Sequence, residues 1–427
     1  MSWSAWVKGG LVAVCLAPTA WAFCGFYVAQ EQGSLFNKSS KVVLVREGDH
    51  TVLTMANDFR GNLKNFGLVV PVPQEITPGM VKVAERAILD KLDQYTVPRL
   101  VEYHDPDPCP PPYDEERDYV KMSRQLEMVP MAAGAGAPEG RHGVKVEQSY
   151  SLEEYDIVVV NAKTGAGLER WLREEGYQVP AGSTEILESY TRQNMHFFLA
   201  KIDLAASDQL GVRWPRPLRV EYDSPKFMLP IRLGTVNADG YQDLLVYALT
   251  PKGRVETTNY RTAKVPTDFD VPEGVQTQNK FAAFYTSLFD QQVLRDGMSA
   301  VYTEYAWPLS VQCDPCTAEQ LTASELVALG ASWASDYHGG VDGGFVTRLH
   351  VRYDRAHFPE DLAFQTTADT STYQARYVVH HPWRGDTSCA AGKAYRAELV
   401  KRQAKEVANL AEYTGWDLDT VRALTEE

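Results

Sequence analysis

The chain has 427 residues, 44% of them hydrophobic, with 56 acidic and 42 basic side chains and a net charge of −14. That balance excludes nucleic acid and anionic membrane as partners, since both recognise a basic surface. Ample apolar content, with 22 Tyr and 9 Trp, excludes a disordered chain and predicts packed cores.

The N-terminus sets the expected compartment. Lys8 precedes an apolar run from Leu11 to Ala17, then Pro18 and Ala20-Trp21-Ala22. Small residues closing a short apolar segment are what a signal peptidase reads, so residues 1–22 are expected to form a signal peptide. A retained anchor is the alternative, and bulky Phe23 argues against lipid attachment at Cys24. No later segment approaches ~18 consecutive apolar residues, so no transmembrane segment is expected after cleavage. The protein is thus expected to be exported, to the periplasm or the extracellular space. The roughly 405 remaining residues exceed what one core usually organises. Two β-rich lobes are predicted, over 23–205 (with a loop and linker at 105–143) and 206–392, followed by a helical tail at 393–427.

In chain order, Lys41–Arg46 and Thr51–Met55 are β-branched runs around Glu47-Gly48-Asp49, which predicts a hairpin. Phe66 to Pro73 reads as a buried strand that leaves its sheet at Pro71. Val81–Leu92 has the spacing of an amphipathic helix, with Val81, Ala84, Ile88, Leu89 and Leu92 on one face. A strand is expected at Arg99–Tyr103. Five prolines between Asp105 and Tyr113, and the Ala/Gly-rich run Met131–Gly143, predict irregular structure.

Tyr155–Val160 and Met195–Ile202 read as strands, and Leu168–Glu175 as a helix closed by Gly176. Gly165-Ala166-Gly167 lacks the third glycine of a dinucleotide fingerprint and the lysine of a phosphate loop, so it reads as a tight turn. Strands are expected at Leu218–Tyr222, Phe227–Leu233 and Asp243–Leu249, and a helix at Asn279–Leu294. Thr322 and Glu325 have capping-box spacing before a helix that Gly330 ends. Tyr337–Gly344 is expected to be a mobile glycine-rich loop. Phe345–Tyr353 alternates cleanly, which predicts a half-buried antiparallel strand with Arg348, His350 and Arg352 on its polar face. Lys393–Tyr413 is helical by composition, with a last short helix near Leu418–Leu424. The fold class is α+β: mostly antiparallel sheet in two packed lobes, with short helices and a helical C-terminal tail.

Five cysteines remain after signal removal: Cys24, Cys109, Cys313, Cys316 and Cys389. In an oxidising compartment the expectation is two disulfides and one thiol left over. Cys313-Asp314-Pro315-Cys316 also has the spacing of a redox couple, which needs a cysteine near a helix N-terminus to lower its pKa. A soft-metal site is the other chemical option, using Cys313, Cys316, Cys389 and either His380 or His381. Adjacent histidines on a strand point to opposite faces, so one at most can join. Arg348, His350 and Arg352 form a candidate anion-binding face. No nucleophile elbow and no His-Glu-x-x-His motif occurs, so nothing points to an enzyme and no cofactor is implied.

Several stretches together resemble the bacterial secreted proteins of the domain-of-unknown-function 2330 family. They are Phe23-Cys24-Gly25-Phe26-Tyr27-Val28, Phe66 to Pro73, Pro98 to Tyr103, Trp171 to Tyr177, Cys313 to Cys316, and Leu349 to Tyr353. The resemblance implies export from a bacterial cell and one family-length module. It transfers no activity and no catalytic residue. The expected function is a non-enzymatic binding or assembly module stabilised by disulfides, whose partner is a protein or envelope component. The alternative is a thiol–disulfide oxidoreductase or metal-handling protein using Cys313 and Cys316.

Overall fold

The computed structural model describes residues 26–29, 36–60, 66–109, 142–177, 179–202, 215–238, 240–337 and 340–425. The expected signal peptide, Cys24 and most of the expected 105–143 loop and linker lie outside these residues.

The predicted hairpin forms the middle of the molecule. Strands Phe36–Glu47 and His50–Arg60 pair antiparallel around a turn at Gly48, whose φ of +57° suits glycine. Their apolar residues alternate strictly. Val42, Leu44, Leu53 and Met55 enter one core, while Val43, Val45 and Val52 enter another. A sheet with both faces apolar must be covered on both, and this one is.

The hairpin lies within a sheet whose order is Arg261–Lys264, Ala300–Pro308, Phe345–Tyr353, Gln242–Thr250, Phe36–Glu47, His50–Arg60, Leu218–Asp223 and Val81–Val83. Most pairs are antiparallel; Phe36–Glu47 with Gln242–Thr250 and Arg261–Lys264 with Ala300–Pro308 are parallel. One face packs on a five-stranded antiparallel sheet through Leu68, Val70, Ile157, Val159 and Phe198. Helices Gly165–Glu174 and Ser183–Thr191 cover the far side of that second sheet through Leu168, Trp171, Ile186 and Leu187. Helices Arg86–Thr96, Ala323–Leu329 and Phe281–Arg295 cover the opposite face of the central sheet. The layers therefore run helix, sheet, sheet, helix, an α+β architecture. Strands from both sides of residue 205 share the central sheet, so the two expected lobes meet within one hydrogen-bonded ladder.

Several expectations need correction. The Phe66–Val72 strand runs through Pro71, which lies opposite Phe197. On its other edge pairing reaches only Val69, so beyond that point the strand has one neighbour among the described residues. The helix foreseen from Val81 starts at Arg86. Val81–Val83 is instead captured as an edge strand by Leu218–Val220, and the Ala84 N–H donates to Pro217 O at 2.7 Å. Phe227–Leu233 shrinks to the two-residue strand Met228–Leu229 and a 3₁₀ turn at Arg232–Asn237. In place of a loose loop, Ser335–Tyr337 and Gly340–Asp342 form a small hairpin. Helix Ser183–Thr191 was not foreseen; it packs so closely that a Cβ at Gly165 would strike the Glu188 main chain. That contact is what the glycine-containing turn serves.

The capping box at Thr322 and Glu325 is complete, and Gly330 closes that helix at φ +108°. The C-terminal helix spans Ala390–Thr414 and ends at Gly415. It lies against a parallel three-stranded sheet of Phe269–Val271, Arg376–His381 and Arg99–His104.

Candidate functional site

Strand Phe345–Tyr353 alternates as predicted, but both its faces are buried. Leu349, Val351 and Tyr353 enter the core between the two sheets. Arg348, His350 and Arg352 turn toward the covering helices, where charge survives only if it is paired and hydrogen-bonded. Here it is. The Arg348 Nε donates to Glu304 Oε2 at 2.6 Å and its Nη1 to Asp93 Oδ1 at 2.5 Å. Arg352 holds Asp243 with two parallel bonds of 2.7 Å and Asp290 with a third of 2.5 Å. His350 Nδ1 lies 2.7 Å from Glu304 Oε1, and its ring stacks on Phe289 at 3.8 Å. Lys41 Nζ reaches the second Asp93 oxygen at 2.5 Å. Four cations thus face four carboxylates.

The local backbone explains how Glu304 reaches this cluster. The ladder between Ala300–Pro308 and Phe345–Tyr353 shifts register between Thr303 and Tyr305. Glu304 is the extra residue of that bulge, and a bulge re-aims a side chain that regular pleating would place elsewhere. Hydroxyls of Tyr285 and Tyr247 complete the cluster, donating to Glu304 Oε1 at 2.5 Å and Asp93 Oδ1 at 2.6 Å.

The titration states follow. Burial by itself raises the Glu304 carboxyl, but the charges of His350 and Arg348 outweigh it and hold it at about 2. Burial by itself lowers the His350 imidazolium, but Glu304 and Asp243 outweigh it and raise it to about 9. Asp243 and Asp93 are likewise held below their ordinary values by their cationic partners against the opposing effect of burial. At neutral pH Glu304, Asp243, Asp93, Arg348, His350 and Arg352 are all charged, each against an opposite charge. The candidate anion-binding face therefore meets carboxylates of its own chain, and the network clamps two helices onto the sheet.

The four described cysteines fall into two pairs at disulfide distance. Cys109 and Cys389 have Cα atoms 6.1 Å apart across 280 residues, and Cys313 and Cys316 are 5.2 Å apart. Cys389 also caps the C-terminal helix, accepting from Gly392 N at 3.2 Å. Cys313 is buried beside Leu309 and Leu321, whereas Cys316 is exposed. The helix expected to activate this pair starts only at Ala323, and its first turn is already capped by Thr322 and Glu325.

Arg99, which the sequence did not single out, fixes the loop between these two cysteines. It is 2% exposed and donates to Pro315 O at 2.7 Å, Tyr95 O at 2.8 Å and Val97 O at 3.2 Å. Gln374 Nε2 holds Asp314 O at 2.5 Å from the other side. No sequence pattern marks Arg99, because its partners are main-chain carbonyls.

His380 and His381 end the strand Arg376–His381, and each contacts carboxylates. His381 lies 2.7 Å from Glu273 and 2.9 Å from Glu102; His380 lies 3.5 Å from Asp270 and 3.9 Å from Asp105. Among the described residues no group of three or more His, Cys, Asp or Glu is placed to hold a metal ion. Asp105 also receives two bonds from Arg402, at 3.0 and 2.6 Å, and one from the Tyr395 hydroxyl at 2.6 Å. One turn beyond Arg402 on the same helix, Glu406 is buried, and that burial raises its carboxyl to about 7.

A family of uncharacterised proteins conserved in bacteria (DUF2330) is matched over residues 18–365. The chain belongs to this family. No curated protein and no solved structure matches it. The family match takes in the central sheet's hairpin, the buried ion network and the Cys313–Cys316 loop, and it stops before the C-terminal helix. No described helix is long and apolar enough to cross a membrane.

Proposed function

We propose that this family member is an exported, non-enzymatic binding or assembly module held by two disulfides. The observation that carries the reading is the pairing of cysteines: each of the four described ones has a cysteine partner at disulfide distance. A bond between residues 280 apart restrains the unfolded chain by about 5.5 kcal/mol on loop-closure grounds, against about 2 for the local pair. Such bonds persist in oxidising compartments. The charged groups of the central cluster are spent on one another, which leaves them clamping structure rather than performing chemistry.

A second reading makes Cys313 and Cys316 a thiol–disulfide couple, and the exposure of Cys316 favours it. The late start of the following helix counts against it, because the dipole effect fades within one turn.

Intact-mass analysis of protein purified from its native compartment, alkylated before and after reduction, separates the two. The module reading expects a chain beginning at Phe23, alkylation at Cys24 alone before reduction, and no retained metal. Alkylation of Cys313 and Cys316 before reduction, or selective opening of that pair by mild dithiol, overturns it in favour of the redox reading. A retained metal ion overturns it in favour of metal handling.

A further inference from the structure

At one end of the central sheet an open cleft of about 470 Å³ lies between the Gly48 turn, the Pro251–Lys252 turn and the strand Leu362–Thr366. Its size is that of a ligand site. Its walls carry Arg46 and Lys252 and no carboxylate, although the chain as a whole has 56 acids against 42 bases. Phe227 and Phe364, with ring centroids 5.2 Å apart, form an apolar floor, and the Arg46 guanidinium lies 5.2 Å over Phe227.

Arg46 is only partly neutralised. Its side chain is 7% exposed, and the carboxylates acting on it, Asp49 at 3.3 Å and the more distant Asp223, are 72% and 74% exposed. Its other bonds go to the neutral Thr51 Oγ1 at 2.7 Å and Asp49 O at 3.0 Å. Burial lowers its pKa despite Asp49, Tyr222 and Asp223, as expected for a cation whose counter-charges are solvated. Lys252 is exposed on its turn, and no described carboxylate pairs with it.

The third wall is an unfinished ladder. The Phe364 N–H bonds to Phe227 O at 2.8 Å, while Thr367 N–H, three residues on, bonds to Arg254 O at 2.9 Å on the opposite side. Alternation along a strand then turns the Thr366 N–H and C=O to the same side as those of Phe364, toward the cleft. There the chain at Pro225 supplies no N–H to pair with them. An open edge of this kind takes an added strand.

From these three walls we infer that the cleft binds an extended peptide carrying an apolar or aromatic side chain and a carboxylate. The peptide main chain extends the ladder at Thr366, its apolar side chain rests on Phe227 and Phe364, and its carboxylate meets Arg46 and Lys252. This rests on the binding-module reading and names its ligand class.

The test uses the mature chain and the peptide N-acetyl-Val-Thr-Val-Phe with a free C-terminal carboxylate. Comparison peptides are its C-terminal amide and a version N-methylated at the central valine, all titrated by calorimetry up to millimolar concentration. The expected result is saturable binding of the acid, weakened about tenfold by the amide and by N-methylation. Lys252→Glu, on an exposed turn, is expected to weaken the acid about tenfold while leaving the amide unchanged. Phe364→Ala should abolish binding, and if it fails to fold, Lys252→Glu still decides. No heat with the acid peptide, equal binding of acid and amide, or indifference to Lys252→Glu overturns the assignment. Those outcomes leave the cysteine states untouched, so failure of the cleft is distinct from failure of the module reading.

Discussion

The same residue types build two clusters with opposite behaviour. Beneath the helices on the central sheet, Arg348, His350 and Arg352 meet Glu304, Asp93, Asp243 and Asp290 at short range, and partners outweigh burial for each of the shifted carboxyls. Against the C-terminal helix, His380, His381 and Arg402 meet Asp105, Asp270, Glu102, Glu273 and Glu406 with more solvent nearby. For Glu406 burial wins. Its nearest cation, Arg402, is 3.4 Å away without hydrogen-bond geometry, and Asp270, Asp105 and Glu273 add repulsion. Complete pairing thus fixes the charge of a buried group. Incomplete pairing leaves the buried Glu406 to titrate near neutrality.

The comparison breaks most sharply at Glu304. Replacing it as Glu304→Gln strands Arg348 and His350, and loss of one partner from a buried ion network costs about 3–5 kcal/mol. Urea unfolding at pH 7 is expected to show that loss; a change below about 1 kcal/mol would mean the network is not a clamp.

A pH series comes next. His350 has a folded pKa raised to about 9 from 6.5, so its contribution is complete below 6.5 and disappears as pH rises through about 9. The stability gap between the natural chain and His350→Gln should shrink by about 3 kcal/mol between pH 6 and pH 10.

Glu406 has the opposite sign. A carboxyl raised from 4.5 to about 7 adds nothing unfavourable below 4.5 and destabilises progressively until pH passes about 7. Glu406→Gln is expected to gain about 3 kcal/mol at pH 8 and nothing at pH 4, read as the midpoint of thermal unfolding at each pH. The smallest effect is at His381, raised mainly by its bond to Glu273 with help from Glu102. His381→Asn should lose about 0.5 kcal/mol at pH 6 and almost none at pH 9 by the same measurement.

The parts of the fold carried by local chemistry were legible in the sequence. The Gly48 hairpin, the Thr322 capping box and the Gly415 stop each depend on residues within one turn of each other. The parts that depend on distant partners were not. Val81–Val83 has helical spacing but becomes a strand because Leu218–Val220 offers it an edge. Arg348, His350 and Arg352 have the period of a solvated face, and their acids lie at positions 93, 243, 290 and 304, beyond any local pattern. For the candidate sites, spacing put Cys313 beside Cys316, but neither the pairing of Cys109 with Cys389 nor the grip of Arg99 could be read from it.

The place of the Phe36–Arg60 hairpin has a consequence for synthesis. Both of its outer edges are finished by strands that begin at Leu218 and Gln242, more than 150 residues further along the chain. At about 5–20 residues per second a ribosome supplies them only after a delay on the order of ten seconds. Throughout that interval two apolar strand edges stand open, the arrangement from which chains most readily join one another. Aggregation of chains stalled before Leu218 should therefore rise steeply with their concentration, and the nascent hairpin is the segment that a holding chaperone would have most reason to cover.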